Sequence, residues 1–136
     1  MKLSRRSDYA LRAVHHCSKH QVGRLHSINV IAESTQVPRE FLAKILKDLT
    51  DGGILLSHKG IKGGYTLARK PSEINFLDVI EAVDGPMYLS LCTEPAAGKR
   101  KKHARCELCT FWTAQEKSIK QTLRKQHFGR YSKGRK

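Results

Sequence analysis

Hydrophobic side chains recur at helical spacing in the segment that begins at Pro38. One face of a helix here carries Phe41, Leu42, Ile45, Leu46 and Leu49. The opposite face carries Arg39, Glu40, Lys44, Lys47 and Asp48. Proline suits the first helical turn because its missing N–H needs no partner there, and Gly52-Gly53 suits a helix end that requires positive φ. The pattern predicts an amphipathic helix with both ends marked.

Shorter elements flank this helix on both sides. Ser27 can cap a short helix that ends before Pro38, and two helices joined by a tight turn form a helix-turn-helix. After Gly53, apolar runs at 54–56 and 65–68 enclose a glycine-rich loop with Lys59 and Lys62 near its tip, which predicts a β-hairpin. The predicted fold is mainly α with a small β-hairpin wing, a winged helix-turn-helix.

The two ends of the chain carry further helical patterns. The N-terminal stripe predicts a first amphipathic helix with a buried cysteine, and its members are Leu3, Ala10, Val14 and Cys17. A helix from about residue 109 to 126 has a narrow apolar seam of Trp112, Ile119 and Leu123. That seam suits a partner helix in a dimer, although it can also pack on the chain's own first helix.

These patterns divide the chain into three parts. Residues 1–85 are predicted to form the winged helix-turn-helix domain, and residues 86–126 a cysteine loop and a long C-terminal dimerisation helix. Residues 127–136 are basic with little apolar material, so we expect a disordered tail. The length of 136 residues fits one hydrophobic core.

The charge indicates a polyanionic partner. Twenty-six Lys and Arg side chains stand against 12 Asp and Glu, giving a net charge of +14 and a pI near 10.0. Such an excess favours DNA, RNA or an anionic membrane surface, but the aromatic pattern of single-stranded RNA binders is missing from the sequence. An ordinary α+β unit with a solvated basic face is the alternative. The sequence has neither a membrane-spanning run nor a signal peptide, so we expect a cytoplasmic protein.

Catalytic motifs are missing from the sequence. It has no carboxylate pair, no Ser/His/Asp set and no phosphate-binding glycine loop, and Gly60, Gly63 and Gly64 are better explained as a hairpin tip. We therefore predict that the protein is not an enzyme.

Three of the four cysteines lie together in a polar region. Cys106 and Cys109 form a C-x-x-C beside Trp112, and Cys92 lies upstream. A disulfide is disfavoured in the cytosol, so the motif indicates metal binding or thiol redox chemistry. Zinc and iron–sulfur clusters normally take four ligands, and either His103 or a residue from elsewhere in the fold can supply the fourth. A thiol-disulfide enzyme is disfavoured because the motif does not follow a strand as in thioredoxin-like units.

The segment VPREFLAKILKDLTDGGILLSHKGIKGGYTLARKPSEINFLDVIEAVDGP resembles the hallmark segment of the Rrf2 family of bacterial transcription regulators. The start, MKLSRRSDYALRAV, is similar to the first helix of that family, and the C-x-x-C before Trp112 resembles its cysteine loop. The resemblance runs from Met1 to about Leu123. It implies a homodimer that binds a palindromic operator in double-stranded DNA and that senses iron–sulfur cluster, redox or nitric oxide status.

The resemblance also assigns DNA-binding roles. Arg39, Glu40 and Lys44 lie where the family reads the major groove, and Lys59 lies where its wing meets the minor groove or phosphate. The neighbouring Lys62 joins this candidate set. Ser27 and Lys47 are candidate phosphate contacts, with a helix cap and a solvated lysine as the respective alternatives.

The metal ligands follow the same comparison. Cys92 and Cys106 match the first and last of three cluster cysteines, and Cys109 falls where IscR-like members place a histidine. The middle cysteine is absent, and His103 can replace it. Asp8 lies where some relatives ligate the cluster through an acidic residue, which the partner subunit can also supply. The alternative is a carboxylate at a helix start. The cofactor implied is a [2Fe–2S] or [4Fe–4S] cluster, with structural zinc or no metal as alternatives.

Overall fold

The computed structural model describes residues 2–94 and 107–132. These residues form α1 (Arg5–Ser18), α2 (Ile28–Thr35), α3 (Arg39–Asp51), β1 (Leu55–His58), β2 (Gly64–Leu67), a 3₁₀ turn (Pro71–Glu73), α4 (Phe76–Asp84), α5 (Glu107–Lys125) and α6 (Gly129–Ser132). The mainly helical architecture with one antiparallel hairpin confirms the predicted fold class. Among the described helices, none combines the length and apolar character that crossing a bilayer requires.

Helix α1 lies at the centre and packs against α2, α3 and α4. The predicted stripes form the core, where the fully buried side chains include Ala10, Val14, Cys17, Leu42, Ile45, Leu46 and Leu49. Burial raises the pKa of Cys17 to about 12, so this thiol is a core side chain as predicted. Two predicted stripe members differ. Phe41 is 56% exposed and Leu3, which precedes α1, is 49% exposed.

Side-chain caps define where three of the helices begin. Ser4, Ser27 and Asn75 each accept a hydrogen bond from the backbone N–H three residues on, at 3.0, 3.2 and 2.8 Å. The predicted cap at Ser27 is thereby confirmed. Gln36 closes α2 in the left-handed conformation, so the chain turns directly into α3. The turn is tight, which fixes α3 relative to α2.

The C-terminal segment packs onto the domain rather than hanging free. Phe128 is 1% exposed, its ring centroid lies 4.8 Å from that of Phe76, and its N–H donates to the Ile74 carbonyl at 3.1 Å. The Phe76 N–H in turn donates to the Gln126 carbonyl at 2.9 Å. The prediction of a disordered tail is therefore wrong for residues 127–132. The Phe128 side chain is buried in the core, which the basic composition of this segment does not indicate. The last four residues lie outside the described part.

Candidate nucleic-acid interface and cysteine site

The helix-turn-helix and the wing share one concave surface. Ser27, Arg39 and Lys59 line it together with the backbone of the wing loop. Ser27 caps α2, Arg39 is the first residue of α3, and Lys59 follows β1 directly. Arg39 and Lys59 are exposed, so their charged groups are available to a ligand. The fold thus brings three predicted DNA-binding residues, from three separate elements, to one groove.

Close backbone packing holds the wing in this position. Tyr65 of β2 pairs with His26, donating to its carbonyl at 2.8 Å and accepting from its N–H at 2.9 Å. A Cβ on Gly64 would lie 2.4 Å from the His26 carbonyl oxygen, so only glycine permits this approach. Gly60 has φ +120° at the tip, a conformation that also requires glycine. The glycine-rich loop is therefore a wing, as the sequence predicted.

A second groove lies between α1 and α3. Glu40 and Lys44 line it with Arg5, Arg6 and Phe41. Arg6 also forms an ion pair with Asp48 that ties α1 to α3. Glu40 and Lys44 are exposed on the solvent face of α3. The predicted major-groove residues thus divide between two adjacent grooves, with Arg39 on one and this pair on the other.

The remaining two predicted lysines differ in their surroundings. Lys62 is exposed in the loop between β1 and β2. Lys47 is exposed near the end of α3, and its Nζ lies 3.0 Å from the Asp51 carboxylate. That hydrogen bond raises the pKa of Lys47. A phosphate would have to compete with Asp51 for this ammonium group, although an exposed ion pair of this kind is weak.

The structure adds residues that the sequence analysis missed. Asn29 and His58 line the first groove, and Arg5 lines the second. Ile61 at the wing tip is fully exposed between Lys59 and Lys62. Arg5 is one of several basic residues on α1, and Asn29 is an ordinary polar residue on a short helix, so only the assembled surface reveals them.

Two of the three candidate cysteine ligands lie side by side. Cys92 and Cys109 form a disulfide with their Cα atoms 5.5 Å apart. Cys109 lies in the first turn of α5 and is 5% exposed, and Cys92 is half-buried. The expectation that a disulfide is disfavoured is thus not met in this structure, although the convergence of the two cysteines agrees with a shared site. Cys106 and His103 lie outside the described residues.

Local hydrogen bonds hold Cys92 against α5. The Cys92 N–H donates to Ser90 Oγ at 3.1 Å, within a turn that Thr93 closes on the Ser90 carbonyl. The Leu89 N–H donates to Glu116 of α5 at 3.0 Å. The loop after α4 is therefore attached to α5 over more than one helical turn, and the position of the disulfide depends on that attachment.

Asp8 has a local ionic partner. Its carboxylate lies 3.0 Å from the Arg12 guanidinium, one turn along α1, and it is in the first turn of that helix. Both features agree with the alternative of a carboxylate at a helix start. A ligand role would have to break the pair with Arg12.

Helix α5 leaves apolar side chains exposed. Cys109 is its one buried residue among those described, and the helix packs against α4 rather than covering a core. Leu108 is 66% exposed and Phe111 is 53% exposed, while the predicted seam residues Trp112, Ile119 and Leu123 are half-buried. Exposed apolar side chains along one helix are typical of a partner surface.

Comparison with known proteins identifies related chains. A family model described as Rrf2, iron-dependent transcriptional regulator, matches residues 3–130. An HTH-type transcriptional regulator of Mycobacterium tuberculosis is 34% identical over 87 residues, which cover 64% of this chain and 54% of that protein. The HTH-type transcriptional regulator NsrR of Oceanobacillus iheyensis is 33% identical over 92 residues, covering 68% and 63%. The chain thus spans about half to two thirds of the length of these curated relatives.

Solved structures share the fold. The global cysteine regulator CymR of B. subtilis superimposes with a TM-score of 0.73 at 24% identity, covering 97% of this chain and 96% of that one. IscR of T. potens superimposes with a TM-score of 0.70 at 24% identity, covering 94% and 83%. These similarities extend over nearly the whole chain.

Proposed function

The chain belongs to the Rrf2 family of transcriptional regulators, and on this basis we propose that it binds a palindromic operator in double-stranded DNA as a homodimer. The observation that carries the proposal is the groove in which Ser27, Arg39 and Lys59 meet. The family and the named relatives are regulators rather than enzymes. We propose that the protein acts in the cytoplasm, where its DNA is.

The solvent face of α3 is proposed to enter the major groove. Arg39, Glu40 and Lys44 are exposed at its start, where side chains of a recognition helix contact base edges. Lys59 and Lys62 on the wing reach the adjacent minor groove or its phosphates. Ser27 and the backbone N–H groups at the start of α2 are suited to a phosphate, because a helix N-terminus carries partial positive charge.

The dimer is proposed to form through α5. Its exposed Leu108 and Phe111, with the half-buried Ile119 and Leu123, give an apolar surface along a 19-residue helix. Two copies joined in this way present two recognition helices to one face of the DNA. A separation of about one helical turn, ~34 Å, matches the half-sites of a palindrome.

The sensing role is proposed for the cysteine site. Reduction of the Cys92–Cys109 disulfide would leave two adjacent thiols, which fit as sulfur ligands, and Cys106 and His103 are the further candidates. The disulfide form itself offers no thiolate. An iron–sulfur cluster bound by these cysteines would supply a centre whose loss or oxidation reports the redox state. Asp8 remains a weaker candidate ligand because it pairs with Arg12.

A direct thiol switch is the second candidate, and the observed pairing favours it. Oxidation of Cys92 and Cys109 to the disulfide releases two electrons and two protons, which an oxidant such as a peroxide accepts. The new bond joins the loop after α4 to α5, and α5 is the proposed dimer helix. A change in that attachment alters the spacing of the two recognition helices. Coupling of this kind typically amounts to about 1–3 kcal/mol.

Operator binding tests the DNA proposal. We would select the preferred duplex from a random pool and measure affinity by fluorescence anisotropy at several salt concentrations. Arg39→Ala should lose affinity for the operator and relax the sequence preference at one base position. The loss of one specific base contact costs about 1–3 kcal/mol of binding free energy. Lys117→Ala, which removes an exposed charge on α5, is the matched control and should bind normally. Equal binding of Arg39→Ala and wild type, or preference for RNA over duplex DNA, would contradict the proposal.

Anaerobic purification tests the sensing proposal. Iron, sulfide and zinc would be quantified, and the visible spectrum recorded, because a cluster absorbs visible light and Zn²⁺ does not. Operator affinity is then compared for the reduced, oxidised and metal-free forms. Cys92→Ser should abolish any difference. Identical affinities of all forms of the wild type would refute sensing through this site while leaving DNA binding intact.

A further inference from the structure

Three imidazoles meet where α1 ends, and their residues belong neither to the lining of the two grooves nor to the disulfide. His16 lies in the last turn of α1, His20 lies two residues past its end, and His26 immediately precedes the α2 cap. Their ring centroids lie 5.0 to 5.1 Å apart in all three pairs. One nitrogen from each ring lies within 4.8 Å of the others. The three rings therefore surround a common point.

His16 contributes a buried ring to this cluster, and one of its nitrogens has no partner within the described part of the chain. The side chain is 6% exposed, and its Nδ1 lies 2.8 Å from Ser34 Oγ. Its Nε2 is buried with no hydrogen-bond partner among the described residues. Buried polar atoms in proteins almost always have a partner, so this one needs an explanation. When Nδ1–H donates to Ser34, the Nε2 lone pair is free, which is the arrangement that a metal-binding histidine uses.

The surroundings keep these rings neutral. Burial lowers the pKa of His16 to about 4, with further contributions from His26 and His20 and from the nearby Lys19 and Arg24. Burial is also the first cause of the lowered pKa of His20 and of His26. Neutral imidazole is the form that binds a metal, so an ion displaces almost no protons at neutral pH.

We propose that His16, His20 and His26 bind one divalent transition metal ion, for which Zn²⁺ is the best match. Three imidazoles with an open fourth position form a tetrahedral zinc site, whereas Mg²⁺ and Ca²⁺ prefer oxygen ligands. Zn–N bonds of ~2.0–2.1 Å place tetrahedral ligand nitrogens ~3.3 Å apart, so the rings have to close by at most about 1.5 Å. His20 is half-buried in a loop and can make that movement.

Arg24 opposes the ion. Its Nη1 lies 3.2 Å from His20 Nδ1 and donates to it. Metal binding breaks this contact, because a His20 that binds through Nε2 carries its proton on Nδ1, and a His20 that binds through Nδ1 has no lone pair left there. Arg24 is exposed and can turn into solvent. Its removal should therefore strengthen the site.

The ion would join α1 to the segment that leads into the helix-turn-helix. His26 is followed by Ser27, which caps α2, and its backbone is paired with Tyr65 of β2. A metal ion bound at the cluster thus holds the start of α2 and the wing to the end of α1. Any effect of the ion on DNA binding rests on the proposed function, whereas metal binding itself does not depend on it.

Zinc titration of the full chain tests the site without DNA. The cysteines compete for zinc, so Cys92, Cys106 and Cys109 are first replaced by serine. The imidazole nitrogens are then followed by ¹H–¹⁵N correlation NMR, and affinity is measured by calorimetry. One equivalent of Zn²⁺ should shift the resonances of His16, His20 and His26 together and leave the rest in place.

Single substitutions complete the test. His20→Gln removes a half-buried ligand with little risk to the fold and should weaken Zn²⁺ binding at least tenfold. Mutation of a residue that only hydrogen-bonds to a metal ligand already lowers metal affinity by about tenfold or more. His58→Gln, on the wing, is the matched control and should bind as before. Arg24→Gln should bind more tightly. Unshifted cluster resonances, or equal affinities of His20→Gln and its parent, would overturn the proposal. Failure of operator binding alone would not affect it.

Discussion

Replacement of Phe128 by alanine tests how the C-terminal segment belongs to the fold. The ring is 1% exposed and its centroid lies 4.8 Å from that of Phe76, so the substitution removes a buried aromatic side chain and leaves a cavity. Phe→Ala substitutions in cores typically cost about 3–5 kcal/mol, combining lost burial with the cavity. The backbone hydrogen bonds that Phe128 donates to Ile74 and that Gln126 accepts from Phe76 limit how far the site can collapse. We therefore expect a loss of about 3 kcal/mol or more in the free energy of unfolding.

Urea unfolding followed by far-UV circular dichroism measures this loss, at one protein concentration because a dimer is stabilised by mass action. Phe41→Ala is the matched control. It removes the same side chain from a site that is 56% exposed, so we expect a loss of no more than about 1 kcal/mol. If Phe128→Ala unfolds at the wild-type urea midpoint, the segment from 127 to 132 is not part of the core, and its described packing is wrong.

Three further predictions concern the helix-turn-helix, the wing and the histidine cluster. Ser27→Ala should lower the free energy of unfolding by about 1 kcal/mol, whereas Ser27→Gly should lower it by only a few tenths of a kcal/mol because glycine is a tolerated cap. Any loss of operator affinity in Ser27→Gly therefore reports the phosphate contact. Lys59→Ala should weaken operator binding equally for all sequences and reduce the slope of log affinity against log salt by about one, whereas an unchanged slope would place Lys59 off the phosphates. His16 has a pKa of about 4 in the folded chain and 6.5 in the unfolded chain, so between these pH values the unfolded chain binds the extra proton. The free energy of unfolding should therefore fall as pH drops from 6.5 to 4, by at most about 3 kcal/mol, when a chelator is present. His16→Gln should flatten that decline, and an equal decline in the variant would assign it to other groups.

The pattern of the central segment alone predicted the helix-turn-helix and the wing. Leu42, Ile45, Leu46 and Leu49 repeat at helical spacing and are buried as expected, because a helix with one apolar stripe has one way to face a core. Ser27 caps α2 for an equally local reason, since its hydroxyl reaches an N–H three residues on. Local periodicity and capping need no knowledge of the rest of the chain.

The tertiary structure decided what distant residues do together. Phe41 belongs to the apolar stripe by spacing but lies at its edge, beside a groove that α1 forms, so it is exposed. Phe128 is a single aromatic in a basic segment, and only the site beside Phe76 makes it part of the core. Sequence alone placed Cys92 and Cys109 in one polar region, whereas their pairing depends on how the loop after α4 is attached to α5.

The histidine cluster shows the same division. The sequence pattern does not single out His16, His20 and His26. One lies on a helix and two lie in the following loop, and residues placed in this way have no fixed spacing that predicts a contact. They meet because α1 stops at Ser18 and the chain then returns to pair His26 with β2. Spacing along the chain thus determined α1 and α3 and most of their buried stripes, since those depend on neighbours within a few residues. The groove, the disulfide and the cluster of imidazoles depend on contacts between separate elements, and these form only when the whole core packs.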